Sequence, residues 1–382
     1  MVTRSSINFT KVIGLLFIVL LCYNFHRYIL QYNSVRTSPT YQNTPLTWKV
    51  GKYLVVGLLA FLAYFHSRFV SPKKPWEIAF FVAFITWSLT ASLLYFLNFN
   101  SFSFNEMEYT IWGILLFPML FIEPEKKAQL INFIPKNFRL IALLTISTGF
   151  LVVINYYVTD RLPALGYKGS LVRYGGFWDD PNGFGLFCCY LFYIALDRKL
   201  WLYSLLLLVC IAFTVSFSAY LITIFVFVLW GFKGGKLNRV FLYIAVSVTA
   251  LLLAAGLFFQ DKVAQIALKT FEQKRISIEQ HSKIALDFFF FPYLNRGISF
   301  HETWYISYLY NYTPLSPGIL FIILSFLAFT VFRKSKNYCD IYSIIFLAGC
   351  FFIPVFIVFP LNVLFIIFIY TYTTLPDRNA IL

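Results

Sequence analysis

The sequence predicts an all-α polytopic membrane protein that forms one integral membrane domain over residues 1–382. The composition favours this class, since 60% of the 382 residues are hydrophobic, 21% are aromatic and only 12% are charged. The mean hydropathy of +0.74 is far above that of a soluble globular domain. Apolar runs long enough for the roughly 30 Å hydrocarbon core of a bilayer recur along the chain. Their continuity predicts helices, because a helix satisfies its backbone polar groups within the segment.

About twelve transmembrane helices are predicted from these apolar runs. They cover residues 11–30, 50–66, 77–97, 108–122, 139–157, 181–197, 200–215, 218–232, 238–258, 315–332, 341–358 and 360–373. The charge-free run from Leu200 to Trp230 is too long for one crossing, so a break is predicted at Ser216–Ser218. The last two helices are divided near Pro360, and the longest loop lies between the ninth and tenth helices.

The positions of lysine and arginine predict the orientation, because short cytoplasmic loops retain basic residues during insertion. If the N-terminus is inside, 18 of the 31 basic residues lie on cytoplasmic segments and both termini are cytoplasmic. The other 13 lie on long external stretches, at residues 27–52, 158–180 and 259–314, to which the rule does not apply. The net charge of +15 therefore includes an external basic excess that topology does not explain.

No metal, cofactor or nucleic acid is predicted as a partner. The six cysteines lie in apolar segments or at a cytoplasmic turn, with no metal-ligand spacing and no pair placed for an external disulfide. Asp179 and Asp180 are adjacent, so their carboxylates diverge in either a helix or a strand. That divergence disfavours a shared metal ion.

The first polar external segment contains RYGGFWDDPNGFG at residues 173–185. Asp180 is predicted to cap a helix that starts at Pro181, where the missing N–H of proline has no cost. The glycines, Gly176 among them, would let the backbone turn tightly beside a bulky ligand, and Arg173 precedes a helix N-terminus that favours anions. A capped turn with an arginine that extends to the interface explains the same residues without a ligand.

The second polar segment is the loop of residues 259–314, which includes HETWYISYLYNY at residues 301–312. His301 begins this stretch, and its imidazole can bind, orient or take a proton near neutral pH. Arg275 and Arg296 can each form paired hydrogen bonds to phosphate oxygens. The alternatives are an aromatic belt at the membrane interface for residues 301–312, and ion pairs between the arginines and the acidic residues of this loop.

The stretch RYGGFWDDPNGFG resembles the Arg-x-x-Gly-x-Phe-x-(Asp/Asn)-Pro-Asn-x-x-(Gly/Ala) pattern of the O-antigen ligase and polymerase superfamily. The matching residues are Arg173, Gly176, Phe177, Asp180, Pro181, Asn182 and Gly185, with one residue fewer between glycine and phenylalanine. The family also has a long external loop with an arginine and a histidine, to which Arg275 and His301-Glu302 correspond. The chain departs from the family at Ser216, which is followed by Phe217 where many members have arginine.

The resemblance implies a fold similar to the GT-C class, with an active site formed by external loops 158–180 and 259–314. It implies a metal-independent inverting glycosyltransferase of the bacterial inner membrane that acts on undecaprenyl-diphosphate-linked oligosaccharides as donor and acceptor. Arg173, Arg275 and Arg296 are expected to bind the diphosphate, together with Asn182 and Gly176, which are also in the substrate site. His301 and then Glu302 are the catalytic candidates. Membrane lipids and a chain-length regulator protein are the other partners that it implies.

Three functions remain open at this stage. A polymerase would extend the glycan on another lipid-linked unit, and the Asp-Pro-Asn sequence favours this activity. An O-antigen ligase would instead transfer the polymer to the lipid A core. A polysaccharide flippase would also have about twelve helices, but neither an internal repeat nor polar groups near the bilayer midplane are evident in the sequence.

Overall fold

The computed structural model describes residues 9–23, 46–67, 69–70, 111–159, 166–168, 171–178, 181–234, 338–350 and 359–372, with eight further positions between 78 and 96. The described residues are mainly helical, which confirms the predicted helical class. The helices are α1 Phe9–Cys22, α2 Leu46–Phe65, α3 Pro124–Ile131, α4 Phe133–Lys136, α5 Phe138–Thr159, α6 Pro181–Asp197, α7 Trp201–Phe213, α8 Phe217–Gly234, α9 Tyr338–Cys350 and α10 Leu361–Tyr372. The helices predicted at 238–258 and 315–332 lie outside the described residues.

Local sequence signals set two of these boundaries where they were predicted. α6 begins at Pro181, which suits the first position of a helix because that residue needs no N–H partner. The long apolar run of residues 200–230 is divided, since α7 ends at Phe213 and α8 begins at Phe217. Val215, between them, has a φ of 46°, a conformation that cannot continue a right-handed helix.

A strand pair corrects the all-α prediction in the segment that precedes α6. β1 (Gly166–Lys168) and β2 (Leu171–Arg173) are antiparallel, and Gly166 is paired with Arg173. These residues were predicted as part of an external loop. The pairing gives the backbone polar groups of the segment partners within the segment itself.

The connection between residues 123 and 137, which was predicted as a cytoplasmic segment between two membrane helices, forms the two short helices α3 and α4. Within it, Lys127 is 1% exposed, and its Nζ donates a hydrogen bond to the Leu120 carbonyl oxygen at 2.8 Å. That carbonyl belongs to the 3-10 helix Phe117–Phe121, so the lysine ties two consecutive elements together.

α6 lies at the centre of the packed core and positions the site described below. Every residue from Gly183 to Leu196 is buried. α6 packs against α7, α8 and α9, and its Cys189 Sγ is 3.3 Å from Thr223 Oγ1 of α8. The side chains along α6 are apolar or aromatic on all faces, which is the pattern expected of a helix surrounded by other helices.

Several outer helices are apolar on the exposed face as well as on the packed one. On α2, Leu54, Leu58, Phe61 and Phe65 recur at helical spacing and are exposed, with 68% of Leu54 accessible. The same helix buries Leu59 on its other side. Exposed leucine, isoleucine and valine recur on α5 in the same way. None of the helices in the described part of the chain is long and apolar enough to cross a membrane.

Candidate functional site

The segment from β2 to the first turn of α6 contains the described part of the candidate site. Arg173 is the last residue of β2, and the next residue, Tyr174, donates its backbone N–H to the Phe213 carbonyl oxygen at 3.1 Å. Phe213 ends α7, and its ring lies 5.9 Å from that of Tyr174. The backbone of Arg173 is therefore fixed between a strand pair on one side and the end of α7 on the other.

Gly176 has a conformation and surroundings that only glycine satisfies. Its φ is 53°, in the left-handed region that side-chain-bearing residues rarely adopt. A Cβ at this position would collide with the ring of Phe184 on α6. On α5, a Cβ added to Gly149 would be 3.4 Å from the same ring. The ring of Phe184 therefore occupies a slot between two glycines, and the space beside Gly176 is filled by protein on that side.

Trp178 connects this turn to the first helix. Its indole Nε1 donates a hydrogen bond to the Leu21 carbonyl oxygen at 2.9 Å, across 157 residues of sequence. Leu21 lies in the last turn of α1, where backbone carbonyls have no partner within the helix. The indole is 1% exposed and its ring lies 4.6 Å from that of Phe187 on α6. The turn thus brings α1 and α6 together.

Asn182 is held by the loop between α7 and α8. The Ser216 hydroxyl donates to Asn182 Oδ1 at 2.8 Å, and the same hydroxyl oxygen accepts the Ala219 N–H at 3.3 Å. Ser216 is therefore the N-cap of α8 and the residue that orients the Asn182 amide. α6 and α8 are close at this point, since a Cβ added to Gly185 of α6 would be 2.7 Å from the Cβ of Ala219 of α8.

Of the predicted site residues, the structure describes Arg173, Gly176 and Asn182. Arg173 ends β2, Gly176 begins the 3-10 helix Gly176–Trp178, and Asn182 lies in the first turn of α6. The residues around them contact α1, α5, α7 and α8. The other predicted site residues, Arg275, Arg296, His301 and Glu302, lie outside the described residues, as do Asp179 and Asp180. No group of three histidine, cysteine or carboxylate side chains placed for a metal ion occurs within the described ranges.

The chain matches no protein-family model, no curated protein and no solved structure. The site is therefore interpreted from its own residues and from the sequence resemblance. Sequence reasoning missed three residues that shape it: Trp178, Phe184 and Ser216. Ser216 carried a signal, because serine three residues before Ala219 at the start of an apolar run is typical of an N-cap.

Replacing Ser216 by alanine is expected to lower the free energy of unfolding by about 1–2 kcal/mol, because the change removes a helix cap and one buried hydrogen bond. Thermal unfolding of the purified protein in detergent measures the effect. Ser204→Ala is the matched control, since the Ser204 hydroxyl is bonded only to the Leu200 carbonyl one turn earlier at 3.2 Å. Equal losses of unfolding free energy in the two variants would show that the bond from Ser216 to Asn182 adds no stability beyond that of a local hydroxyl bond.

Proposed function

We propose that the chain is a glycosyltransferase of the O-antigen ligase and polymerase type, acting in the bacterial plasma membrane. In this proposal it polymerises undecaprenyl-diphosphate-linked oligosaccharide units into O-antigen or capsular polysaccharide at the external face. The full protein would have about twelve membrane helices in a GT-C-like arrangement, with both termini cytoplasmic. External loops 158–180 and 259–314 would form its active site, and a chain-length regulator protein is a further partner in the proposal.

The observation that carries this proposal is the construction of residues 173–185. Arginine, glycine and Asp-Pro-Asn occur there in nearly the spacing of the ligase and polymerase pattern. In three dimensions the backbone N–H of Tyr174, the residue after Arg173, and the Asn182 amide each have a contact to the α7–α8 region. An arginine that shortly precedes a helix N-terminus in the sequence is suited to binding an oxyanion such as diphosphate.

The membrane location is supported by the composition and by the exposed apolar faces of the outer helices. Leu54 and Phe65 on α2 are 68% and 63% exposed, while Val158 on α5 is 77% exposed. In water, an apolar surface repeated over several helices would be unfavourable at about 25 cal/mol per Å². Lipid chains are as apolar as these side chains, so contact with lipid removes that cost.

The proposed reaction is a single displacement at the anomeric carbon of the donor glycan. An acceptor hydroxyl oxygen forms the new glycosidic bond while the bond between the anomeric carbon and the diphosphate oxygen breaks, which inverts the configuration. The hydroxyl proton goes to His301 in this scheme, with Glu302 as the second candidate base. The negative charge that develops on the leaving diphosphate is stabilised by Arg173, Arg275 and Arg296.

Deleting the gene and separating the cell-surface glycans by gel electrophoresis tests the function. Loss of a polymerase leaves single-repeat material, and loss of a ligase leaves polymer on the carrier lipid. Loss of a flippase instead leaves lipid-linked units on the cytoplasmic side. Only the first outcome supports the proposal.

In the deletion strain, Arg173→Lys is expected to restore about 1–10% of the wild-type polymerisation rate. The reason is that lysine cannot make the paired hydrogen bonds of arginine, each worth roughly 1.5–3 kcal/mol. Arg198→Lys, the same change at the opposite end of α6, should restore the full rate. Polymer of wild-type length and amount from Arg173→Lys, at equal expression, would refute the role of Arg173.

A further inference from the structure

A second group of basic and aromatic side chains lies near the start of α2. This Lys52 cluster consists of Lys52, Tyr53, Trp112 and Phe359. The Lys52 Nζ lies 5.1 Å from the ring centroid of Tyr53, 5.7 Å from that of Trp112 and 5.8 Å from that of Phe359. The Trp112 ring is stacked on Phe359 and lies 4.6 Å from Tyr53. An ammonium group thus lies over a continuous aromatic surface.

The cluster contains a buried donor that the described part of the chain does not satisfy. Trp112 is 0% exposed, and its indole Nε1 has no hydrogen-bond partner among the described residues. Indole N–H and lysine ammonium groups donate and cannot accept. A buried donor without an acceptor destabilises a protein. A ligand oxygen that accepts the Trp112 N–H would remove this cost, and the adjacent Lys52 ammonium favours a ligand with negative charge.

The Lys52 cluster and Trp178 both contact the C-terminal end of α1 or the residue that follows it. Trp178 of the turn donates to the Leu21 carbonyl oxygen. Two residues later, the ring of Tyr23 lies 5.6 Å from that of Phe359, and the Tyr23 hydroxyl is against Gly51. The two features are therefore at the same end of α1, on the side where the proposed reaction would take place.

We propose that the Lys52 cluster binds the oxyanion of the lipid-linked acceptor, which complements an Arg173 site for the donor diphosphate. This inference rests on the proposed function, because joining two diphosphate-linked chains brings two diphosphates to one end of the protein. The flexible lysine stem lets the ammonium move from the rings to the anion, and an anion oxygen then accepts the Trp112 N–H.

Calorimetric titration of the purified full chain in detergent with farnesyl diphosphate tests this inference. Two sites are expected in the wild type and one in Lys52→Gln. Trp112→Phe keeps the ring and removes the donor, so one of the two sites should weaken by about tenfold. Farnesol should not bind to the Lys52 site, because it has no negative charge. Competition by glucuronate at the Lys52 site would identify the native oxyanion as a sugar carboxylate. A lack of competition would identify it as the diphosphate of the carrier lipid.

Lys11→Gln is the matched control, because it removes the same charge at the opposite end of α1 and should leave both sites intact. Wild-type stoichiometry and affinity in both Lys52→Gln and Trp112→Phe would overturn the inference. The proposed donor site is tested separately by Arg173→Gln. If Arg173→Gln keeps both sites while Lys52→Gln loses one, the donor assignment fails and the Lys52 site stands. Unchanged unfolding temperatures show that the variants are folded.

Discussion

Gly176→Ala is expected to lower the free energy of unfolding by about 2–5 kcal/mol. Roughly 1–2 kcal/mol comes from placing a Cβ at a left-handed backbone position, and roughly 1–3 kcal/mol comes from overpacking. The overpacking arises because that Cβ would collide with the ring of Phe184, which Gly149 already confines from the α5 side. The φ of 53° is held by the neighbouring contacts of Tyr174 and Trp178, so the turn has little freedom to relax.

The double variant Gly176→Ala with Phe184→Leu separates these two contributions. Leucine removes the ring atoms nearest to Gly176, so part of the overpacking cost should disappear while the backbone cost remains. The double variant should therefore be less destabilised than the sum of the two single changes. Gly57→Ala is the control, since a Cβ there meets Leu115 at an ordinary 3.4 Å within a helix and should be neutral or stabilising. Strict additivity of the two changes would contradict the predicted contact.

His301→Ala is expected to reduce polymerisation by about 10²–10⁴-fold, the usual contribution of a positioned general base. The rate is measured in membranes or proteoliposomes with lipid-linked repeat units, at protein levels matched by immunoblotting.

His66→Ala is the control for this prediction, because His66 is an exposed histidine at the end of α2. Its ring nitrogen lies 3.2 Å from the Leu62 carbonyl oxygen of the preceding turn, which indicates a local structural contact. Glu302→Gln tests the second candidate base. If Glu302→Gln loses the activity while His301→Ala keeps it, the two roles are reversed. Wild-type kinetics in both His301→Ala and Glu302→Gln would show that neither residue takes part in proton transfer.

Helix boundaries that are set by residues adjacent in the sequence were predicted correctly. The start of α6 follows from proline at its first position, and the break before α8 follows from the length of the apolar run. The strand pair was missed because each strand has only three residues, too few for a pattern of alternation. The burial of Lys127 was not predicted, because a lysine between short apolar stretches has no local signal for burial.

Contacts between distant segments could not be predicted in the same way. The bond from Ser216 to Asn182 spans 34 residues, and periodicity carries no information about the partner of a hydroxyl group. Gly176 was predicted to make room for a ligand, whereas the space beside it on the Cβ side is occupied by Phe184. The glycine at position 176 was therefore interpreted as a residue that leaves space, which agrees with its surroundings. That the ring of Phe184 fills this space was not predicted.

The bond between Trp178 and Leu21 affects the order in which the protein can be completed during synthesis. The last turn of α1 leaves the ribosome 157 residues before the indole that satisfies its Leu21 carbonyl. At about 5–20 residues per second, this interval lasts roughly 8–30 s. The four helices α2 to α5 are made in this interval, before the donor to the Leu21 carbonyl exists. A chain that stops before residue 178 lacks this donor, so it cannot form the bond that joins α1 to the segment before α6.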